Sequence, residues 1–147
     1  MEIILHEQIC RRLISSRVYL INAATISALT GCGIFEIKKH VESGELLWAF
    51  NFSFSQNSAE PRVHALRFWV EELAKPVAVK DFTVEQVVQK VLGTMQANFS
   101  PGDICRRFCI SKVQLGQIRR KWDLPLGKIR RESLADFLKA RWTGNNN

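Results

Sequence analysis

The chain has a single tyrosine, Tyr19, no glycine-rich phosphate loop, and no Asp/Glu cluster of the kind that holds two catalytic metals. Each absence removes a class of chemistry. A tyrosine recombinase needs a longer chain and an Arg/His constellation spread around its nucleophile. Nucleotide hydrolysis needs backbone amides wrapped around phosphates, and two-metal nucleases need grouped carboxylates. The expectation is a protein that is not an enzyme and needs no cofactor. No apolar run reaches membrane-spanning length, and the start, Met1-Glu2-Ile3-Ile4-Leu5-His6, carries an acid and no signal-peptide pattern. Cysteines fall only at positions 10, 32, 105 and 109, an irregular spacing that argues against a disulfide framework and for buried thiols in a reducing cytoplasm. The Asn-Phe-Ser triplets at Asn51 and Asn98 therefore match a glycosylation acceptor only formally. At 147 residues and 46% apolar content, there is material for one ordinary core or two small ones.

What is present is positive charge in one place. Lys/Arg and Asp/Glu balance at eight each over residues 1–75, whereas residues 76–147 hold thirteen against six. Between Ile104 and Arg131 lie Arg106, Arg107, Lys112, Arg119, Arg120, Lys121, Lys128, Arg130 and Arg131 against one acid, Asp123. A block this local, laid over helical periodicity, is the electrostatic footprint of a surface that meets phosphates. The plain alternative is a solvated helix face.

The uncharged residues of the same segment carry a second signal. Ser100-Pro101-Gly102-Asp103 reads as a helix start: a capping serine, a proline tolerated in the first turn and an acid at the positive helix end. Ile104, Cys105, Phe108, Ile110, Leu115 and Ile118 fall where two short crossing helices need apolar or small side chains. Cys109 sits near the turn and Ser111 can cap a second helix running to about Lys121. The pattern predicts a helix-turn-helix whose second helix turns Lys112, Val113, Gln114, Gln117, Arg120 and Lys121 outward.

Earlier in the chain, apolar spacing predicts helices over Ile3–Leu13, Ile21–Leu29 and Ile34–Ser43, the last stopping at Gly44. The period then changes to two: Trp48, Phe50, Phe52 and Phe54 alternate with small or polar residues, as in a strand with one aromatic face. Turn chemistry from Ser55 to Pro61, a short return strand over Arg62-Val63-His64 and a helix over Leu66–Lys75 complete the order of a winged helix.

The stretch Tyr19–Leu46 resembles the DNA-binding modules of the MerR and phage-excisionase families. Ala23-Ala24, Leu29-Thr30-Gly31, Ile37, Val41 and Gly44-Glu45-Leu46 match the usual pattern, and Leu66-x-x-Trp69-Val70 resembles its last helix. Gly33 stands where a Ser/Thr cap is usual, His40 where an apolar residue is usual, and the wing is long and aromatic. The second half is similar to a further copy: Ile129 precedes a Leu134-x-x-Phe137-Leu138 helix, as in an excisionase-like ending, and only Asp123–Gly127 is left for a wing. Thr83-Val84-Glu85-Gln86 is a capping box opening a helix with Val84, Val87, Val88, Val91, Leu92 and Met95 on one side. The resemblance implies an architectural or regulatory role in a mobile element's recombination or transcription.

Three further features have competing readings. Ile9–Leu20 aligns without gaps to Ile104–Leu115 with seven identities. This marks either a duplicated helix-turn-helix, which would move the first recognition helix to about 16–24, or an accident; the wing and last helix favour the later placement. His6-x-x-x-Cys10 and Cys105-x-x-x-Cys109 could each offer zinc two ligands, but small residues where helices pack are the simpler explanation. The aromatic ladder could stack single-stranded bases, yet is more simply the cover of the first module's core or a subunit contact.

The fold expected is mainly α: tandem helix-turn-helix modules, the first winged with a β-hairpin, the second with little or no wing. The first module and its leading helix span residues 1–75, a linker 76–82, and the basic module 83–147. The function expected is double-stranded DNA binding. Arg106, Arg107, Lys128, Arg130 and Arg131 are candidate phosphate contacts, and Lys112, Gln114, Gln117, Arg119, Arg120 and Lys121 line the reading helix. Phe35, Glu36, Lys38 and Lys39, with Arg62 on the wing, are their counterparts in the neutral half. The aromatic strand Trp48, Phe50, Phe52 and Phe54 is the candidate contact for a protein partner or a second copy. The rivals are a protein–protein adaptor docking a recombinase, polymerase or nuclease, which would have no need of the basic block, and an RNA-binding protein.

Overall fold

The computed structural model describes residues 3–53, 62–74, 81–93 and 96–145. Among them the chain is mainly helical, with eight α-helices and two small antiparallel sheets. The first half runs α1 (Glu7–Ser15), β1 (Leu20–Asn22), α2 (Ala23–Thr30), α3 (Ile34–Glu42), β2 (Ala49–Asn51), β3 (Leu66–Trp69) and α4 (Val70–Leu73). The second half runs α5 (Val84–Leu92), β4 (Asn98–Phe99), α6 (Pro101–Phe108), α7 (Lys112–Trp122), β5 (Ile129–Arg130) and α8 (Arg131–Arg141). No helix among the described residues is long and apolar enough to cross a membrane.

The three-stranded sheet, ordered β1-β3-β2, stands as a wall between two cores. Side chains alternate across a strand, and here both faces are covered. Ile21, Ala49, Leu66 and Phe68 face a core with Ile26 and Ile37 of the first half. Leu20, Trp48, Phe50 and Trp69 face the other way, into a core built from Val87, Val91, Phe108, Leu115 and Leu138 of the second half. The strong period of two at Trp48, Phe50 and Phe52 is thus real, but the rings cover the second half's core and not the first's. Trp48 stacks on Trp142 at 4.8 Å, and Phe52 lies 5.3 Å from Phe137. Trp48, Phe50 and Phe52 are buried in their own chain, and Phe54 lies outside the described residues.

Several predicted boundaries shift, each for a local reason. The leading helix begins at Glu7, capped by His6 Nδ1 accepting from Gln8 N, while Leu5 lies before the helix and its amide donates to Leu73 O. Leu20–Asn22 is strand, because its amides and carbonyls pair with Arg67–Trp69. Leu66–Trp69 is likewise a central strand and not helix, so the predicted last helix of the first half keeps only Val70–Leu73. The expected return strand at Arg62–His64 falls instead in a tight turn that includes Val63–Ala65. Glu72 then closes the layer: its buried carboxylate accepts from the amides of Leu47 (2.8 Å) and Trp48 (2.9 Å). The predicted linker is described only at its end, where Phe82 packs edge-on against Trp69.

The two helix pairs share one register. The start of β1, both ends of α2 and the start of α3 recur 78 residues later, at the start of β4, both ends of α6 and the start of α7. Asn22 caps α2 through the amide of Thr25, and Ser100 caps α6 through that of Asp103. Both first helices are eight residues long and end in a left-handed residue, Gly31 or Cys109. Buried positions pair as Ile21/Phe99, Ile26/Ile104, Cys32/Ile110 and Ile37/Leu115. The gapless echo between Ile9–Leu20 and Ile104–Leu115 is not this repeat, since it sets strand residue Leu20 against helical Leu115.

Candidate nucleic-acid interface

The basic block separates into two groups once burial is known. Arg106, Lys112, Arg120, Lys121, Lys128 and Arg130 are exposed. Arg107 is buried: it pairs with Asp103 at 3.1 Å and donates to Leu92 O and to Gln96 Oε1. Its guanidinium also lies over the rings of Tyr19 and Phe99, at 5.0 and 5.3 Å. Arg131 is spent on the end of α5, donating to Gln89 Oε1, Gly93 O and Gln96 O. These two of the predicted phosphate contacts are therefore structural, because every nitrogen that could meet a phosphate already serves a carbonyl or side chain. Arg119 is half-buried and donates to Gly127 O at 2.6 Å, pinning the turn after α7.

On α7 itself the local sequence does what the capping chemistry demands. Ser111 Oγ accepts from Gln114 N and Gln114 Oε1 accepts from Ser111 N, a complete capping box that satisfies two otherwise orphan amides. That removes Gln114 from the bidentate adenine contact expected of it, since its carbonyl is occupied. Leu115 and Ile118 face the core, leaving Lys112, Val113, Gln117, Arg120 and Lys121 outward.

Arg62 and α7 are brought together. A cleft of about 480 Å³ is lined by Arg62, His64 and Ala65 on one side and Ile110, Gln114 and Ile118 on the other, over Phe52. Helix α3 packs on the same Val63–Ala65 turn. The predicted sets on α3, on Arg62 and on α7 thus flank one turn. On α3, Phe35, Glu36 and Lys39 are exposed, while Lys38 is half-buried and reaches Glu42 at 4.0 Å.

Arg67 fixes this geometry, and sequence reasoning missed it. Nearly all of its surface is buried, with Nε donating to Phe108 O and Cys109 O and Nη1 to His64 O and Leu66 O. The cation sits at the C-terminus of α6, where unpaired carbonyls concentrate negative charge. Burial pushes its pKa down. The one available signal was a lone arginine inside the apolar run Leu66–Val70.

No protein family, no curated protein and no solved structure matches this chain. Among the described residues, no group of three or more His, Cys, Asp or Glu is placed to hold a metal ion. Cys10 instead donates to Val70 O, and burial pushes the Cys10 and Cys105 thiols up.

Proposed function

We propose that the chain binds double-stranded DNA through two helix-turn-helix modules, with the outer face of α7 as the main electrostatic contact. The observation that carries this reading is the sorting of the basic block. The cations the fold uses, Arg107, Arg119 and Arg131, are engaged by carbonyls and side chains, and those it does not use, Lys112, Arg120 and Lys121, share the exposed side of α7 with Gln117. Arg106, Lys128 and Arg130 are exposed on the flanking elements. A helix of 11 residues, with its start exposed and its body braced on α6, has the shape that enters a major groove. Cations beside it neutralise backbone phosphates and set the register, while Gln117 and Arg120 are the side chains able to meet base edges.

The likeness of Tyr19–Leu46 to MerR and excisionase modules supports the same reading. It suggests an architectural or regulatory role, such as that of a recombination or transcription factor in a mobile element. The near-neutral α3 face adds little to the electrostatic affinity.

The test is binding of the full chain to a fluorescent duplex of roughly 30 base pairs, beside a Lys112→Glu, Arg120→Glu, Lys121→Glu variant. The wild type is expected to bind at roughly micromolar affinity without regard to sequence. Loss of binding in a variant with unchanged far-UV circular dichroism supports the proposal; equal binding by both proteins contradicts it.

A further inference from the structure

Two large apolar side chains stand out at equivalent places. Phe35, the second residue of α3, is 79% exposed, and Val113, the second residue of α7, is 70% exposed. The 78-residue register that relates the two helix pairs sets these residues against each other. Neither is needed by the core, which takes Ile37 and Leu115, two residues further on and so on the other side of each helix. A large apolar group exposed once on a surface is ordinary. The same position exposed in both copies of a repeated unit, among residues that otherwise share almost no identity, points to a common use.

The place is informative. The first turn of the second helix in such a pair is the part that reaches base edges. The one apolar feature of a base edge in the major groove is the thymine 5-methyl group, which apolar side chains contact. Both helices flank the Val63–Ala65 turn, α3 packing on it and α7 facing it across the cleft, so the two residues sit on elements grouped around one feature.

Resting on the DNA-binding reading above, we infer that Phe35 and Val113 are specificity-determining residues that each read a thymine methyl, one in each half of a bipartite site. The neutral first half then has a role that its charge does not reveal. It contributes sequence preference through Phe35, while α7 contributes both preference and affinity.

Selection of bound sequences from a random duplex pool tests this, run in parallel with a pool in which uracil replaces thymine and so removes only the methyl. The full chain is expected to select thymine at two separated positions. Substituting uracil at either weakens binding by roughly three- to tenfold, the effect of one buried methyl group. Val113→Ala should abolish one preference and Phe35→Ala the other, whereas Val113→Thr, which keeps a branched methyl, should retain it. Both positions are exposed, and unchanged far-UV circular dichroism is the control that each variant folds. Salt-dependent binding with no thymine preference, or equal enrichment from both pools, overturns this inference and leaves DNA binding standing. Absence of binding to either pool overturns the DNA-binding reading itself.

Discussion

The Arg67 guanidinium on β3 donates from Nε to the carbonyl oxygen of Phe108, 3.1 Å away, at the point where α6 ends. One side chain of the first half thereby caps a helix of the second, and the turn between α6 and α7 is held against the central sheet. Arg67→Met keeps much of the apolar stem but strands the carbonyls of Phe108, Cys109 and His64. Charge-assisted hydrogen bonds each contribute about 1.5–3 kcal/mol. The variant is expected to lose about 3 kcal/mol or more in urea unfolding, and to bind DNA more weakly even under conditions where it is folded.

Arg106 and Arg107 are neighbours in sequence with opposite fates. Arg106 is exposed, and Arg107 is locked between Asp103, Leu92 O and Gln96. Arg107→Ala leaves a partly buried carboxylate and a buried carbonyl without their donor and should cost about 2–4 kcal/mol of stability. Arg106→Ala should leave the melting temperature unchanged and weaken DNA binding a few-fold. Thermal melts and duplex titrations on the two variants separate the roles; a reversed pattern would refute the division.

Gly93 ends α5 at φ +73° and ψ −162°, a region open almost only to glycine. A Cβ there would stand 2.8 Å from Arg107 Nη1. Gly93→Ala combines backbone strain of about 1–3 kcal/mol with displacement of that guanidinium. A lowered urea midpoint with an unchanged slope is expected.

Burial raises the Cys10 and Cys105 thiols above the ordinary value of 9.0. The folded chain therefore keeps protons that the unfolded chain releases. Stability from these groups is fully present below about pH 9 and is lost as pH rises through the folded values. Urea unfolding at neutral and at alkaline pH should show a smaller alkaline loss in Cys10→Ala than in the wild type. An identical loss would show that Cys10 contributes nothing.

Local chemistry was legible in the sequence where it acts over a few residues. The caps at Ser100, Thr83 and Ser111 all form as their spacing predicts. The helix boundaries over 101–122 follow from them, whereas the helix over 34–42 starts after Gly33 with no side-chain cap. Leu66–Trp69 was misread because a strand buried on both faces has no polar alternation, and Leu66, Trp69 and Val70 imitate helical spacing. The destination of the aromatic face was hidden for the same reason: alternation shows that one face is apolar, never which core it meets. The repeat was obscured by the sequence. Seven identities align Ile9–Leu20 with Ile104–Leu115, where the elements differ, whereas residues 20–42 and 98–120 share only Ile26/Ile104. Burial and capping can be met by many residue pairs, so a common backbone persists where identity does not. Of the basic block, the sequence located the charge but could not tell Arg106 from Arg107, because that depends on Gln96 and Leu92 folding back over one of them.

The most direct test of the account is the salt dependence of duplex affinity for the wild type and for a Lys112→Ala, Arg120→Ala, Lys121→Ala variant. Each phosphate contact contributes about 0.9 to the slope of log K against log salt. If α7 lies on the backbone through these three cations, the variant's slope is shallower by roughly 2 to 3 with its fold intact. Equal slopes in the two proteins, or affinity indifferent to salt, would contradict the assignment of α7 as the DNA-binding face.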